Sequence, residues 1–411
     1  MSLRLRRRRG ESLSQLKIIH WRVPARPVFL YAGTKLVAGR SSSAAWGARR
    51  TQTHVAAKPD DWACPMKPRD IFPVWWGILR GRSPFLSIEI TKECPLRCPG
   101  CYAFAPGHLG SGVRLKHLSD LRGKQLIETV IDTVRRRRPV HLSLVGGEPL
   151  VRYRELNEIL PRLGPLGVEV QVVTSGVRPI PVDWASMPWV HMVVSVDGLP
   201  AEHNRRRAPA TYDRILENIS GQKLIIHCTV TRQMCRPGYL TEFCEFWSAR
   251  EEARKIWFSL YTPQEDEVSA ERLTPADRSL VLEELARIRP DHPKLHMPNL
   301  VLNGMAQPPD SPSNCVFANI TACLSADLKS DVKPCQLGGR PVCSECGCAA
   351  AAGLTAFARY RLAGLLPLGG IFWRSRQLGL RLAHGNGRAA AAEAIQEENR
   401  DAREAAAPAG R

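Results

Sequence analysis

The sequence predicts an α/β protein built on a parallel sheet, followed by a small cysteine-rich unit. Three observations support this. Short apolar runs recur between helical patterns from Phe85 to about Leu260. A CxxxCxxC triad follows the first run, and six of the 13 cysteines crowd between Cys315 and Cys348. Strands that alternate with helices form parallel sheets with right-handed crossovers.

The first strand is read at residues 85–90, Phe-Leu-Ser-Ile-Glu-Ile. A helix over residues 119–138 places Leu126, Ile127, Val130, Ile131 and Val134 on one face. It ends in four arginines that suit the negative end of the helix dipole, and Pro139 stops it. That arginine run is read as a solvated helix end and not as a nucleic-acid site. Further strands are expected at 141–145, 168–174, 191–196, 223–230 and 256–260. Helical patterns at 151–163, 211–220 and 239–250 lie between several of them, which makes six β/α units.

Cys94, Cys98 and Cys101 lie in the run Thr91-Lys92-Glu93-Cys94-Pro95-Leu96-Arg97-Cys98-Pro99-Gly100-Cys101-Tyr102, directly after the first strand. Three thiolates on one loop can hold three corners of a cubane iron–sulfur cluster and leave the fourth iron open to a small ligand. Structural zinc usually takes four ligands in paired CxxC units, and the next cysteine, Cys228, is far away. A disulfide framework fits poorly, because the three cysteines are too close together to pair freely. The odd cysteine total points to metal or free thiols in a reducing, cytoplasmic compartment. Downstream, the strand at 141–145 empties into Gly146-Gly147-Glu148-Pro149. Its glycines permit close backbone approach to a ligand, and Glu148 offers an acceptor for an ammonium group. Taken alone, this would be an ordinary strand-to-helix turn.

Together, the two motifs resemble the radical S-adenosylmethionine (SAM) superfamily. The resemblance covers roughly residues 84–348. It implies a partial (β/α)6 barrel over a core at 80–290, with the active site at the C-terminal ends of the strands. It also implies a [4Fe–4S] cluster on Cys94, Cys98 and Cys101 as the catalytic centre, and SAM as cofactor. Tyr102, Gly146, Gly147, Glu148 and Pro149 would then face SAM. Ser175 ends the third strand, and Ser195-Val196-Asp197-Gly198 ends the fourth, resembling a segment that faces the SAM ribose and carboxylate. Arg207 is the arginine expected to pair with that carboxylate through a bidentate fork.

Cys315, Cys323, Cys335, Cys343, Cys346 and Cys348 fall in a segment at 310–350. Residues 327–335 read as a hairpin delivering a cysteine, and Cys343-Ser344-Glu345-Cys346-Gly347-Cys348 as a dense knuckle. The layout resembles a shortened SPASM or twitch auxiliary domain and implies a second [4Fe–4S] cluster. Cys315 is the weakest of the six candidate ligands, and zinc is the competing occupant. Cys64, Cys228, Cys235 and Cys244 fit no ligand spacing and read as free or buried thiols.

At 411 residues the chain can bury a core large enough for a barrel and a small second unit. Its formal charge of +19 is concentrated at the start, where residues 1–59 hold 13 Lys/Arg against one acid, Glu11. Residues 1–65 are expected to be a disordered basic extension, either transit-like or read from a start codon upstream of Met66. Residues 351–385 are apolar and basic at once. Their longest uncharged run, 12 residues from 362 to 373, is too short to span a bilayer. Such a tail suits contact with a membrane surface or packing back on the barrel. Residues 386–411 read as a disordered Ala/Glu/Arg tail.

The expected function is that of a radical SAM enzyme. One electron from a reductant such as flavodoxin or ferredoxin would cleave SAM and yield a 5′-deoxyadenosyl radical that modifies an unknown lipid or peptide. Nucleic acid is not an expected partner. The alternative is a non-catalytic iron–sulfur or zinc protein whose basic arm binds nucleic acid electrostatically.

Overall fold

The computed structural model describes residues 71–383, apart from 111, 360 and 363–365, all within one compact unit, Ala56–Arg411. The basic extension at 1–65, with Cys64 and Met66, and the tail at 386–411 lie outside the described residues.

Helix α1 (Ile71–Leu79) precedes β1 (Phe85–Glu89). Next come α2 (Gly123–Arg137), β2 (His141–Val145), α3 (Tyr153–Leu163), β3 (Glu169–Thr174), the short α4 (Val182–Ser186) and β4 (Val190–Ser195). The chain continues through α5 (Pro200–Arg207), α6 (Tyr212–Ile219), β5 (Leu224–Val230), α7 (Tyr239–Ser248) and β6 (Ala253–Leu260). All six expected strands are present, with ends that move by up to three residues.

The strands form one parallel sheet in the order β6-β5-β4-β3-β2-β1-β7. The seventh, β7 (Thr321–Leu324), pairs in parallel with β1, Phe85 opposite Thr321 and Ser87 opposite Cys323. Four residues, Thr-Ala-Cys-Leu, carry too little pattern to announce a strand. Its formation depends on the free edge that β1 offers.

The predicted apolar face of α2 is buried: Leu126, Ile127, Val130, Ile131 and Val134 all join the main core. The helix starts at Gly123 and not at 119, because Asp120 is held elsewhere. Its carboxylate accepts hydrogen bonds from Thr91 Oγ1 (2.9 Å), the Lys92 amide (3.2 Å) and Arg152 Nη2 (2.5 Å). At the other end, Arg138 adopts a left-handed conformation (φ 49°) and its amide caps Val134 before Pro139.

Strand β6 at one edge and β1, next to β7 at the other, are not hydrogen-bonded to each other, yet the loops that leave them meet. Gly100, after β1, sits so close to Tyr261, after β6, that a Cβ there would lie 2.3 Å from the tyrosine hydroxyl oxygen. The sheet therefore curves far enough to bring its C-terminal edge loops together, as a partial barrel does.

Beyond the sheet lie α8 (Pro275–Ile288), α9 (Asn299–Ala306), α10 (Val316–Ile320) and, after β7, α11 (Ala349–Arg359). A two-stranded ribbon of β8 (Arg361–Leu362) and β9 (Leu366–Pro367) leads to α12 (Leu368–Ala383). The segment read as a basic apolar tail thus ends in a helix. Among the described residues no helix is long and apolar enough to cross a membrane.

Candidate active site

Cys94, Cys98 and Cys101 lie on the loop that leaves the C-terminal end of β1, and all three are partly buried free thiols. Burial raises the Cys94 thiol to about 12 and pushes Cys98 and Cys101 upward as well, with the neighbouring cysteines of the triad adding to the shift at Cys94 and Cys101. A nearby cationic centre is what would ionise them. Among the described residues no three His, Cys, Asp or Glu side chains converge to hold a single metal ion; a cubane spreads its ligands more widely than one ion does. Three soft thiols on one loop, facing a cleft, are a donor set that fits an open-cornered cluster.

The Gly146–Gly147 turn is packed against this loop. Gly147 N donates to Thr91 O and Glu148 N donates to Glu93 O, both at 2.8 Å. Gly146 has φ 125°, and a Cβ on Gly147 would lie 2.2 Å from the Glu93 carbonyl oxygen. The close approach these glycines allow is therefore to the backbone just before Cys94. Their absent side chains fix the turn and the cysteine loop as one body.

Glu148 is buried and caps the 3-10 turn that starts at Pro149, accepting from Leu150 N at 2.9 Å. Its carboxylate also receives Thr174 Oγ1 (2.5 Å), Ser175 N (2.8 Å) and Ser175 Oγ (2.5 Å). Two residues predicted to face SAM, Glu148 and Ser175, are thus bonded to each other. The pair ties the end of β2 to the end of β3.

Asp197 is fully buried after β4. Burial opposes its ionisation, but Arg207 and Arg206 outweigh that and hold its carboxyl below the usual carboxylate range. Arg206 Nε lies 2.7 Å and Arg207 Nε 2.6 Å from the same oxygen, and Arg206 also pairs with Glu271. The charge of Arg207 also reaches Cys98, so this ion cluster borders the cysteine loop. Ser195, buried at the end of β4, pairs across to His227.

Sequence reasoning missed His203. Its Nδ1 accepts the Asp197 amide (3.0 Å) and its Nε2 faces Ala210 O (2.7 Å), which fixes the Nε2–H tautomer. Burial lowers its pKa to about 4. The His-Asn-Arg-Arg-Arg run after Asp197 was the available signal.

A second missed feature joins the cysteine loop to the C-terminal segment. Glu89, the last residue of β1, accepts from Ser325 Oγ at 2.6 Å and lies 2.6 Å from His108 Nε2. All three side chains are buried. His108 Nδ1 faces Leu337 O (3.3 Å), and Gly339 N donates to His108 O (3.0 Å). Tyr102, expected at the SAM site, stacks at a tilt on His108 with centroids 5.9 Å apart.

Of the six C-terminal cysteines, Cys315, Cys335, Cys343, Cys346 and Cys348 line one small cavity. Cys323, on β7, is not part of that lining, but its thiol lies within the field of Glu89 and of Cys348, and it acts in turn on Cys335. Burial raises the thiols of all six, Cys343 to about 11 and Cys323 to about 12. Arg278 on α8 locks the knuckle by donating to Cys346 O (2.6 Å) and Glu345 O (3.1 Å). Cys228 and Cys244 are buried in the main core, and Cys235 packs against it, as expected of plain thiols.

In front of the cysteine triad opens a cleft of about 1630 Å³ whose lining includes Cys94, Cys98, Cys101, Val177 and Gln264. Ligand sites for single small molecules measure roughly 300–1,000 Å³, and this open cleft, which includes the space beside the three thiols, exceeds that range.

Residues 88–231 match the model of the Radical SAM superfamily. A 7-carboxy-7-deazaguanine synthase from Hyperthermus butylicus is 31% identical over 126 residues, 30% of this chain and 49% of that enzyme. The chain therefore matches about half the length of that relative. Among solved structures, Streptococcus suis SuiB bound to S-adenosylmethionine superposes with a TM-score of 0.46 at 16% identity, covering 65% of this chain and 63% of that one. Native anSMEcpe with bound AdoMet gives 0.46 at 14% identity, covering 73% and 97%. The cysteine loop and the glycine turn lie within the matched span, and the sheet that carries them lies within or beside it, so this part of the chain is similar to the Radical SAM superfamily.

Proposed function

We propose that the chain is an enzyme that reductively cleaves SAM at a [4Fe–4S] cluster held by Cys94, Cys98 and Cys101 and modifies a second molecule in the same cleft. The observation that carries this reading is the meeting of three thiols, the Gly146–Gly147–Glu148 turn and the Asp197–Arg207 pair at one end of the sheet. A radical SAM domain implies both the cluster and SAM. Held there and given one electron, the pair would supply, with release of methionine, a 5′-deoxyadenosyl radical able to abstract hydrogen or add to a double bond.

The protein's part is to bind, orient and shield. Glu148 already has its acceptor sites filled, so an ammonium group would replace the rotatable hydroxyl of Thr174 or Ser175. Arg207 is anchored through Nε on Asp197, which leaves its outer edge to receive a carboxylate. The buried Asp197 and His203 keep that guanidinium oriented. Leu96, Phe104, Val151 and Val177 contribute apolar wall to the cleft and limit water near the reacting atoms.

The C-terminal cavity supports an auxiliary [4Fe–4S] cluster, with its ligands drawn from Cys315, Cys335, Cys343, Cys346 and Cys348. A small one-electron donor such as flavodoxin or ferredoxin would serve as reductant. The spare volume of the cleft suits a segment of a peptide or a lipid as substrate.

Anaerobic reconstitution with iron and sulfide, followed by dithionite and SAM, tests the reading. The expected product is 5′-deoxyadenosine. Its absence from protein that has taken up iron and binds SAM would return the chain to the non-catalytic alternative.

A further inference from the structure

We propose that α1 and α12 together form a docking face for the surface of an anionic lipid bilayer. Ten large apolar side chains are exposed among the described residues, and six of them lie on these two helices. Phe72 is 68% exposed, Trp75 43%, Trp76 47%, and Leu378 and Leu382 50% each. The other four are scattered singly over separate segments, as on any soluble protein.

The inward faces of the two helices are already satisfied. Val74 and Ile78 of α1 pack with Val316 and Ile320, and Phe372 and Trp373 of α12 lie against the same cluster. Trp75 Nε1 donates to Ser375 Oγ at 2.9 Å, and a Cβ on Gly379 would lie 2.2 Å from the Ile78 carbonyl oxygen. The pair is thus a tightly joined unit whose remaining apolar surface points outward.

Charge identifies the occupant. No Asp or Glu occurs at 71–88 or at 349–383. Arg80, Arg374 and Arg381 are exposed among the apolar residues, and the Arg80 guanidinium lies 4.6 Å over the Trp76 ring. Apolar side chains with tryptophans and only cationic charge match the interface of an anionic bilayer, where rings sit at headgroup depth and arginines meet phosphates. With 16 residues and three arginines, α12 would lie on the bilayer and not cross it.

The place of this face in the fold defines its role. Its core includes Phe85, the first residue of β1, and Val140, just before β2. The cysteine loop leaves the opposite end of β1, roughly 17 Å away for a five-residue strand. Docking would anchor the protein with its cleft turned away from the lipid, so the inference rests on the surface alone and not on the proposed reaction.

The test is co-sedimentation of the full chain with vesicles of equal parts phosphatidylglycerol and phosphatidylcholine, and with vesicles of phosphatidylcholine alone. Binding to the anionic vesicles is expected to exceed binding to the neutral ones by at least about tenfold. It should fall at least about tenfold in the Phe72→Ser/Trp76→Ser/Leu378→Ser/Leu382→Ser variant and also in the separate Arg374→Glu/Arg381→Glu variant. Circular dichroism melting of both variants checks that they fold. No binding by the wild type would overturn the proposal, as would undiminished binding by either folded variant. It would also be overturned if the apolar variant only converted a dimer to a monomer, or if deletion of residues 1–65 alone removed vesicle binding.

Discussion

Glu148 holds four hydrogen bonds with one carboxylate, and every donor comes from its own turn or from the end of β3. Replacement by Gln sets an amide NH₂ against at least one of those donors. Glu148→Gln is expected to cost about 1.5–3 kcal/mol of stability and to weaken SAM binding about tenfold, read by denaturant titration and by calorimetry. Full stability in this variant would contradict the clamp between β2 and β3. The sequence made Glu148 legible as a site residue because glycine–glycine–acid after a strand is a short local signal. Its second function was not legible, because Thr174 and Ser175 lie 26 and 27 residues away and only the sheet register brings them near. Gly147 gives a sharper test at the same scale. Gly147→Ala would drive a methyl group into the Glu93 carbonyl, so the turn and the cysteine loop must part. Iron retention should drop in this variant, and unchanged iron content would show that the two backbones are not in fixed contact.

Among the elements, β7 and the knuckle at 343–348 separate two kinds of cysteine that spacing could not. Cys323 lies on β7 outside the lining of the small cavity, whereas Cys346 lies in that lining with Cys315, Cys335, Cys343 and Cys348. Starting from about eight irons per reconstituted chain, Cys346→Ala is expected to leave about four, one cubane's worth. Cys323→Ala should leave the count near eight. Equal losses in both variants would put Cys323 among the ligands, and zinc in protein purified without oxygen would make the knuckle a structural clasp. The cysteine count revealed the segment, and the hairpin after Cys323 was legible because Asp327 sits where it can cap a tight turn, accepting from Ser330 N at 2.8 Å. The strand itself was hidden, since a four-residue edge strand is specified by its partner and not by its own alternation. The buried Glu89–His108–Ser325 contact was hidden for the same reason, its members being brought together from three distant segments.

Across the whole molecule, acid sensitivity follows from histidines that the fold keeps neutral. Burial lowers His141, His203, His227 and His296 to about 4, against about 6.5 in an unfolded chain. Below about 6.5 the unfolded state takes up protons that the folded state refuses, so stability is complete above that pH and falls progressively towards 4. Asp197 extends the loss below the usual carboxylate range, because its folded-state pKa is depressed by Arg207 and Arg206 against the opposing effect of burial. Denaturant midpoints measured from pH 7 to 4 should decline, and a flat profile would contradict these burial assignments. The fold class was legible at this scale because six strands and their crossovers each carry a local pattern. The curvature that brings Gly100 to Tyr261 was not, because it belongs to the sheet as a whole. The central claim is that the loop after β1 is the site of SAM cleavage and that the C-terminal cysteines are not. The most direct measurement is 5′-deoxyadenosine formed under dithionite by the reconstituted wild type, by the Cys94→Ala/Cys98→Ala/Cys101→Ala variant and by the Cys335→Ala/Cys346→Ala variant. Product should form in the wild type and in the C-terminal variant and be absent from the triad variant. Product from the triad variant would contradict the assignment.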